Sequence, residues 1–175
     1  MFKKILLAVA FALPFSAFAQ KFGVVDLEAI FQAMPETAAM QTQLTDTSKK
    51  YEEEFAKLQE EVNKLYADYQ TIQNDASTPE PIKERKVQEI NERVQKVDQF
   101  RNTAQQDLAR LQETLMAPIQ TKIQEAVKAV GAEGSFTFVF PNEKGLLLYT
   151  GADVIDLTQQ VRTKLGLTAA APAAK

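Results

Sequence analysis

The chain is dominated by two long runs of apolar residues that recur at alternating intervals of three and four positions. The first run consists of Leu44, Ser48, Tyr51, Phe55, Leu58, Val62, Leu65, Tyr69 and Ile72, and the second of Val87, Ile90, Val94, Val97, Arg101, Ala104, Leu108, Leu111 and Leu115. A mean interval of 3.5 residues is typical of helices that pair along a narrow apolar seam. The two runs therefore predict two long helices of a coiled coil.

Residues 74–81 (NDASTPEP) separate the two runs. They include two prolines and several short polar side chains that favour turns, and Ser77 or Thr78 is placed to cap a new helix. The sequence therefore predicts an antiparallel helical hairpin over residues 36–117, which we call the arm, with its tip at 74–81. Each helix of the arm extends about 57 Å at 1.5 Å per residue.

Four residues are candidates for hinges in the arm. Ser48, Arg101 and Ala104 interrupt the apolar seam in the half of the arm far from the tip, and we interpret their clustering as a soft joint. The alternative is polarity that a narrow seam tolerates. Pro118 removes one helical hydrogen bond and coincides with a change of apolar phase, so a kink and the end of the arm are expected there.

Arg101 is the one charged residue of the seam. A hairpin that folds near residue 77 places it opposite Phe55. We therefore expect Arg101 to form an ion pair with Glu53 or Glu54.

Short segments on both sides of the arm have the composition of β-strands. They are residues 22–27 (FGVVDL), 136–140 (FTFVF) and 146–149 (LLLY). Residues 141–145 (PNEKG) predict a hairpin loop between the last two, in which Gly145 supplies the unusual backbone dihedral. The strand residues expected to form the oligomerisation body are Val24, Val25, Phe136, Phe138, Phe140, Leu146 and Leu148.

The residues outside the arm, 20–35 and 118–167, form a body too small to build a large core. Its strands are apolar, and an isolated three-stranded sheet would expose edge strands whose unpaired backbone N–H and C=O groups can pair with another chain. We predict an α+β fold, mostly α, in which a long antiparallel coiled-coil hairpin projects from a small β body. Copies of the chain are expected to join through the strands in a closed symmetric ring. The residue pattern does not fix how many chains the ring contains.

Residues 1–19 have the features of a secretory signal peptide, with two lysines, a short apolar run and an A-x-A ending. We expect cleavage between Ala19 and Gln20; the alternative is an uncleaved anchor. The removed residues carry two lysines and no acid, so the remainder has 18 basic and 23 acidic residues and a net charge of −5. Residues 168–175 (TAAAPAAK) form a low-complexity tail, for which disorder is expected.

The residue types that the chain lacks exclude several kinds of chemistry. With no cysteine and no histidine, it has no disulfide, thiol nucleophile, imidazole base or common zinc site. It also has no glycine-rich phosphate-binding motif. The acidic balance argues against a nucleic-acid partner. We therefore expect no enzyme, no cofactor and no metal.

Two segments at opposite ends of the chain carry a resemblance to a known family. Residues 21–44 (KFGVVDLEAIFQAMPETAAMQTQL) begin with a strand that ends in V-V-D at 24–26, followed by a helical turn and a proline at 35. Residues 146–158 (LLLYTGADVIDLT) end in an Asp-aliphatic-Thr helix start. These segments and their order resemble the Skp (OmpH-like) family of periplasmic chaperones.

The resemblance implies a jellyfish-like homotrimer in the periplasm. In that family, strands of three copies form a small β body, and three arms surround a central cavity. The cavity holds unfolded outer-membrane β-barrel proteins without nucleotide. The chain departs from the basic members of the family at the arm tip, since residues 68–89 contain five acids and three bases. We therefore do not extend the resemblance to lipopolysaccharide binding by the arm tip.

A holdase of this kind would contact its clients through apolar residues outside the seam. The candidates are Met40, Tyr66, Ile82, Phe100 and Met116. The alternative is that these side chains pack at the base of the hairpin or between neighbouring arms. A second function that fits the same periodicity is a structural or adaptor coiled coil of the cell envelope with one defined partner.

Overall fold

The computed structural model describes residues 20–143 and 145–167, so the predicted signal peptide and C-terminal tail lie outside the described residues. In chain order the elements are β1 (Lys21–Val25), α1 (Leu27–Ala33), α2 (Pro35–Gln73), α3 (Glu80–Glu133), β2 (Phe136–Pro141), β3 (Ile155–Asp156) and α4 (Thr158–Lys164). The predicted α+β fold, mostly α and with a long helical hairpin, is confirmed. The described residues form two compact units: the helical unit, residues 28–125, and the sheet unit, which comprises the described residues up to 27 and from 126 onward.

In the helical unit, the two predicted apolar runs form the interface between α2 and α3. All nine positions of the first run are buried or half-buried, as are seven of the second, and only Val87 and Arg101 are exposed. The antiparallel direction is recorded by polar pairs along the seam: Glu36 with Lys122, Tyr51 with Asp107, Glu61 with Arg93, and Asp68 with Lys86. The two helices with the 3.5-residue repeat therefore pair with each other within one chain.

The helix bounds agree with the sequence at the tip. Helix α2 ends at Gln73 and α3 begins at Glu80, as predicted. Helix α3 continues through Pro118, where the sequence predicts a kink and the end of the arm. A proline removes only one helical hydrogen bond, and Ile119 and Ile123, 2 % and 6 % exposed, keep the next turns packed. The helical unit accordingly extends to residue 125, beyond the predicted arm end at 117.

The sheet unit is built around β1, which lies between β2 and β3 and is parallel to both. Leu157 and Val161 are fully buried and Val25 is 2 % exposed, so these side chains form the core of this unit. Gly23 lies on the same face of β1 as Val25, because side chains two positions apart point the same way. A Cβ on Gly23 would lie 2.6 Å from Cδ1 of Leu157. Gly23 therefore makes room for the buried leucine.

The predicted hairpin between 136–140 and 146–149 is wrong. Residues 145–149 contain only an isolated bridge at Leu147, and the third strand is Ile155–Asp156. The third strand pairs with the edge of β1 that β2 leaves free, where Leu157 and Thr158 bond to the backbone of Val24 and Asp26. Leu146 and Leu148, expected in a strand, are instead 57 % and 96 % exposed. Gly145 does take a positive φ of 92°, as the loop prediction required.

Helix α3 ends beside a glycine, as the sequence predicts. Glycines at 131 and 134 predict the end of this helix, and it does end at Glu133, directly before Gly134, whereas Gly131 lies inside it. The left-handed conformation belongs to Ser135, with φ of 55°. Gly134 is required for space instead, because a Cβ there would lie 2.3 Å from the ring of Phe136.

We expect Gly23→Ala to lower the free energy of unfolding by about 1–3 kcal/mol, because the added methyl group overpacks a filled core. Urea denaturation at a fixed chain concentration measures the change. Gly151→Ala is the matched control, since a Cβ at Gly151 meets nothing within 4 Å. Equal unfolding midpoints for the two variants would contradict the packing described for β1 and Leu157.

Candidate functional site

The described residues contain no group of three or more acidic, histidine or cysteine side chains arranged to hold a metal ion. Within the same residues, no helix has the length and apolar character required to cross a membrane. Two surfaces remain as candidates: one face of the sheet and the flanks of the helical hairpin.

The aromatic face of the sheet consists of Phe22, Phe138 and Phe140. Register pairs Phe22 with Phe138 and Val24 with Phe140, so these side chains share one face. The rings of Phe22 and Phe138 are parallel with centroids 6.3 Å apart, and those of Phe138 and Phe140 are 5.9 Å apart. The three side chains are 36–56 % exposed. A contiguous exposed apolar patch of this kind marks an interaction surface.

A small polar joint connects the two segments that carried the family resemblance. The hydroxyl of Thr158 donates to Oδ1 of Asp156 at 2.6 Å and accepts the backbone N–H of Asp26 at 2.9 Å. Leu157 donates its N–H to the carbonyl of Val24 at 2.8 Å. The V-V-D and D-L-T patterns therefore meet in space, and their residue types serve to hold β1, β3 and α4 together.

Arg101 lies opposite Phe55, as predicted, but its ion pair is different. Its guanidinium carbon is 5.1 Å from the centroid of the Phe55 ring, a cation–π geometry. The carboxylate beside it belongs to Asp98, 3.8 Å away on the same helix. The predicted pairing with Glu53 or Glu54 is therefore wrong, because the side chain extends over the aromatic ring instead.

The other proposed hinge residues have different surroundings. Ala104 is 8 % exposed and belongs to the packed seam. Ser48 is half-buried, donates a hydrogen bond to Glu52 at 3.2 Å and lines an open groove between the helices. Looser packing is thus localised at Ser48, and the soft joint itself stays a prediction.

The five candidate contact residues are distributed over three environments. Tyr66 and Ile82 are each 47 % exposed. Met40 is buried, and Met116 is half-buried. Phe100 packs edge-on against Tyr51, with ring centroids 5.8 Å apart and an angle of 67° between the ring planes. The structure therefore leaves Tyr66 and Ile82 available to a partner, whereas Met40 and Phe100 pack within the hairpin.

The tip is organised by Asp75. Its carboxylate accepts the backbone N–H of Ser77 at 2.9 Å and the hydroxyls of Ser77 and Thr78 at 2.7 and 2.8 Å. The N–H of Ser77, followed by the two hydroxyls, holds the pKa of the Asp75 carboxyl below its usual range. Among the bases, Lys83 lies 3.9 Å from Glu80 and Lys86 lies 3.0 Å from Glu89. Both lysines thus have acidic neighbours, so the tip is not an open cationic surface.

Sequence reasoning named Phe138 and Phe140 as oligomerisation residues, but it missed the face that they share with Phe22, and it missed the Asp75 network. The first had a signal, because phenylalanines at alternate positions 138 and 140 indicate one face of a strand. Phe22 joins that face only through the register of β1 against β2, which the sequence does not contain. The second had a weaker signal in the spacing of Asp75, Ser77 and Thr78.

These features define an α+β protein with a paired-helix hairpin and a three-stranded parallel sheet whose aromatic face is open to another chain. A model of the family described as outer membrane protein (OmpH-like) matches residues 21–165, and the chain belongs to that family. It is a family of periplasmic chaperones of outer-membrane proteins, so membership supports a chaperone role in general rather than an enzymatic one. Comparison with curated proteins gave no match.

The Asp75 network predicts a pH dependence confined to the tip. Because the pKa of Asp75 is lowered by folding, its contribution is present above the ordinary value of about 3.9 and is lost as the pH falls through the lower folded value. Hydrogen exchange at the Ser77 amide, corrected for intrinsic rates, should therefore accelerate below about pH 3.9. Asp75→Asn should exchange faster at neutral pH and show no such step, and a matching step in this variant would contradict the assignment.

We expect Arg101→Leu to raise the melting temperature and to slow hydrogen exchange along the seam. The substitution exchanges a cation–π contact of about 0.5–1 kcal/mol for an apolar contact of about 1.5–3 kcal/mol when fully buried. Arg110→Leu is the control, because the Arg110 side chain is 73 % exposed and does not occupy a seam position. If exchange near residue 101 is unchanged, Arg101 does not loosen the arm.

Proposed function

We propose that the mature chain is an ATP-independent holdase of the periplasm, exported by a cleaved signal peptide. It would sequester unfolded outer-membrane β-barrel proteins in a cavity between the arms of a homotrimer. Family membership supports the chaperone role in general. The single observation that carries the proposal further is the exposed aromatic face of the sheet.

The aromatic face supports assembly of several copies. Three phenylalanine rings in mutual contact are 36–56 % exposed, and Leu146, Leu148 and Tyr149 add further exposed apolar area in the same unit. Full burial of a side chain of this size contributes about 1.5–3 kcal/mol. Closed symmetric association buries such a surface on every copy. The sheet unit is therefore the proposed assembly surface, and the helical hairpins are left to contact clients.

The sparse apolar exposure of the hairpin suits a holdase. Tyr66 and Ile82 are separate partly exposed side chains on a helical surface that is otherwise mostly polar. A client held by many weak contacts remains bound through avidity and can leave without an energy source. A single deep apolar pocket would favour one partner, which is the behaviour of the alternative adaptor.

The holdase activity is tested by light scattering. A β-barrel membrane protein unfolded in urea is diluted into buffer with and without the mature chain, and its aggregation is followed. Suppression for several unrelated unfolded barrel proteins at similar chaperone concentrations is the expected result. Suppression for none of them, with tight binding to one folded envelope protein, would contradict the holdase and support the adaptor.

The double variant Tyr66→Ser/Ile82→Ser should weaken client binding about fivefold or more, because 1 kcal/mol of lost contact corresponds to about a fivefold change. Its oligomer mass should be unchanged, since neither residue lies in the sheet unit. The control is Gln70→Ser/Gln88→Ser, which alters two exposed polar residues of the same helices. Equal aggregation suppression by both variants would show that Tyr66 and Ile82 are not client contacts.

A further inference from the structure

An open groove of about 850 Å³ lies between α2 and α3 in the helical unit. Leu44 and Leu108 line it and are half-buried, as is Ser48. Ser48 and Ala109 are small, and the serine stands where the seam repeat expects an apolar side chain. The groove is therefore a gap in the seam with an apolar interior.

The edge of the groove carries uncharged amides. Gln105 and Gln112 line it from α3 and are exposed. An amide side chain both donates and accepts hydrogen bonds, as the peptide group does. An unfolded segment of a β-protein presents unpaired peptide N–H and C=O groups, which must find partners when they leave water. Apolar side chains beside exposed amides match that chemistry.

The two flanks of the hairpin differ in charge. Residues that immediately follow a seam position face the groove, and those of α3 that line it are Gln105, Ala109 and Gln112. Residues that immediately precede a seam position form the opposite flank, where Glu61 lies 2.9 Å from Arg93. Such flanking ion pairs fix the pairing of the two helices. Among the described residues that line the groove, no ion pair crosses the seam, which leaves the amides of Gln105 and Gln112 able to meet another chain.

Two charged residues also line the groove and cancel one another. Lys49 and Glu52 are one basic and one acidic residue on α2. The Glu52 carboxylate accepts the hydroxyl of Ser48 at 3.2 Å. The groove therefore favours neither acidic nor basic segments.

We propose that this groove binds short extended segments of unfolded polypeptide, a site that rests on the proposed holdase function and specifies where clients contact the arm. Along α2 the lining residues run from Leu44 to Glu52, which spans about 12 Å. An extended chain advances about 3.3 Å per residue, so the groove accommodates about four residues. One apolar client side chain contacts Leu44 and Leu108, and the amides of Gln105 and Gln112 bond to the client backbone. Recognition of the backbone in this way is independent of client sequence.

Two single-cysteine variants test the site, since the natural chain contains no cysteine. Gln105→Cys places a thiol at the groove, and Gln106→Cys places one at the adjacent exposed glutamine, which does not line it. Maleimide alkylation is timed with and without a urea-diluted β-barrel protein. The client should slow alkylation at position 105 about fivefold or more when most chains are occupied, and slow it little at 106. Equal slowing at both positions would overturn the proposal.

Filling the groove provides a second, independent test. Ser48→Leu closes the gap, so we expect it to weaken client binding while raising the melting temperature through better seam packing. Ser48→Ala leaves the gap open and should bind clients like the natural chain. A folded Ser48→Leu variant with undiminished client binding would reject the groove.

The outcomes separate the groove from the holdase function. If the natural chain fails to suppress aggregation of any client, the holdase function is rejected and the groove loses its ligand. If suppression is normal but positions 105 and 106 react alike, only the groove is rejected. If position 105 is protected without client, increasingly at higher chain concentration, the occupant is a second copy of this chain, which also overturns the proposal.

Discussion

Strand β1 is the element on which both ends of the fold depend, because it is hydrogen-bonded along both edges. The N–H of Leu157 bonds to the carbonyl of Val24, and that of Asn142 bonds to the carbonyl of Val25. The Asp26 amide meets Thr158, 132 residues away in sequence. Closing a flexible loop of that length costs about 4 kcal/mol or more in chain entropy. Antiparallel pairing of α2 and α3 reduces this cost by returning the chain toward its start.

Because both edges of β1 are paired within the chain, the faces of the sheet are the surfaces left for contact with other chains. A sheet of three short strands, one of them only two residues long, has little internal area to bury. One face carries Gly23 and Val25 against Leu157, and the other carries the stacked phenylalanines. The exposed rings are therefore a property of the fold rather than an isolated surface feature. Their burial by further copies is our account of why such a small unit is stable.

The helices could be predicted closely from the sequence because their determinants are local. Two runs with a 3.5-residue repeat and an interruption rich in turn formers fixed α2, the tip and the start of α3 to within about a residue. The parallel sheet could not be predicted in the same way, because its register depends on which edge of β1 is already occupied. Residues 146–149 have strand composition, yet Ile155 and Asp156 form the third strand, because Leu157 and Thr158 anchor them to β1.

In the candidate site, too, local spacing could be predicted from the sequence, whereas side-chain contacts could not. The seam repeat placed Arg101 opposite Phe55, yet the choice between a carboxylate and an aromatic ring was decided by side-chain geometry. Sequence also suggested Phe100 and Met40 as contacts, but being outside the ideal seam does not make a residue exposed. Phe100 contacts Tyr51 and is half-buried, so it stays a candidate, and Met40 is 7 % exposed. The sequence showed Ser48 only as a weak position of the seam. The groove and the amides at its edge are known from the structure.

The proposed assembly is tested most directly by the mass of the mature chain, residues 20–175, in solution at micromolar concentration, measured by sedimentation equilibrium. A closed oligomer of three chains is the expected result, reduced to smaller species when Phe138 is replaced by a charged residue. A stable, folded single chain at that concentration would contradict it, because the aromatic face would then be stable without a cover and no cavity between arms could form.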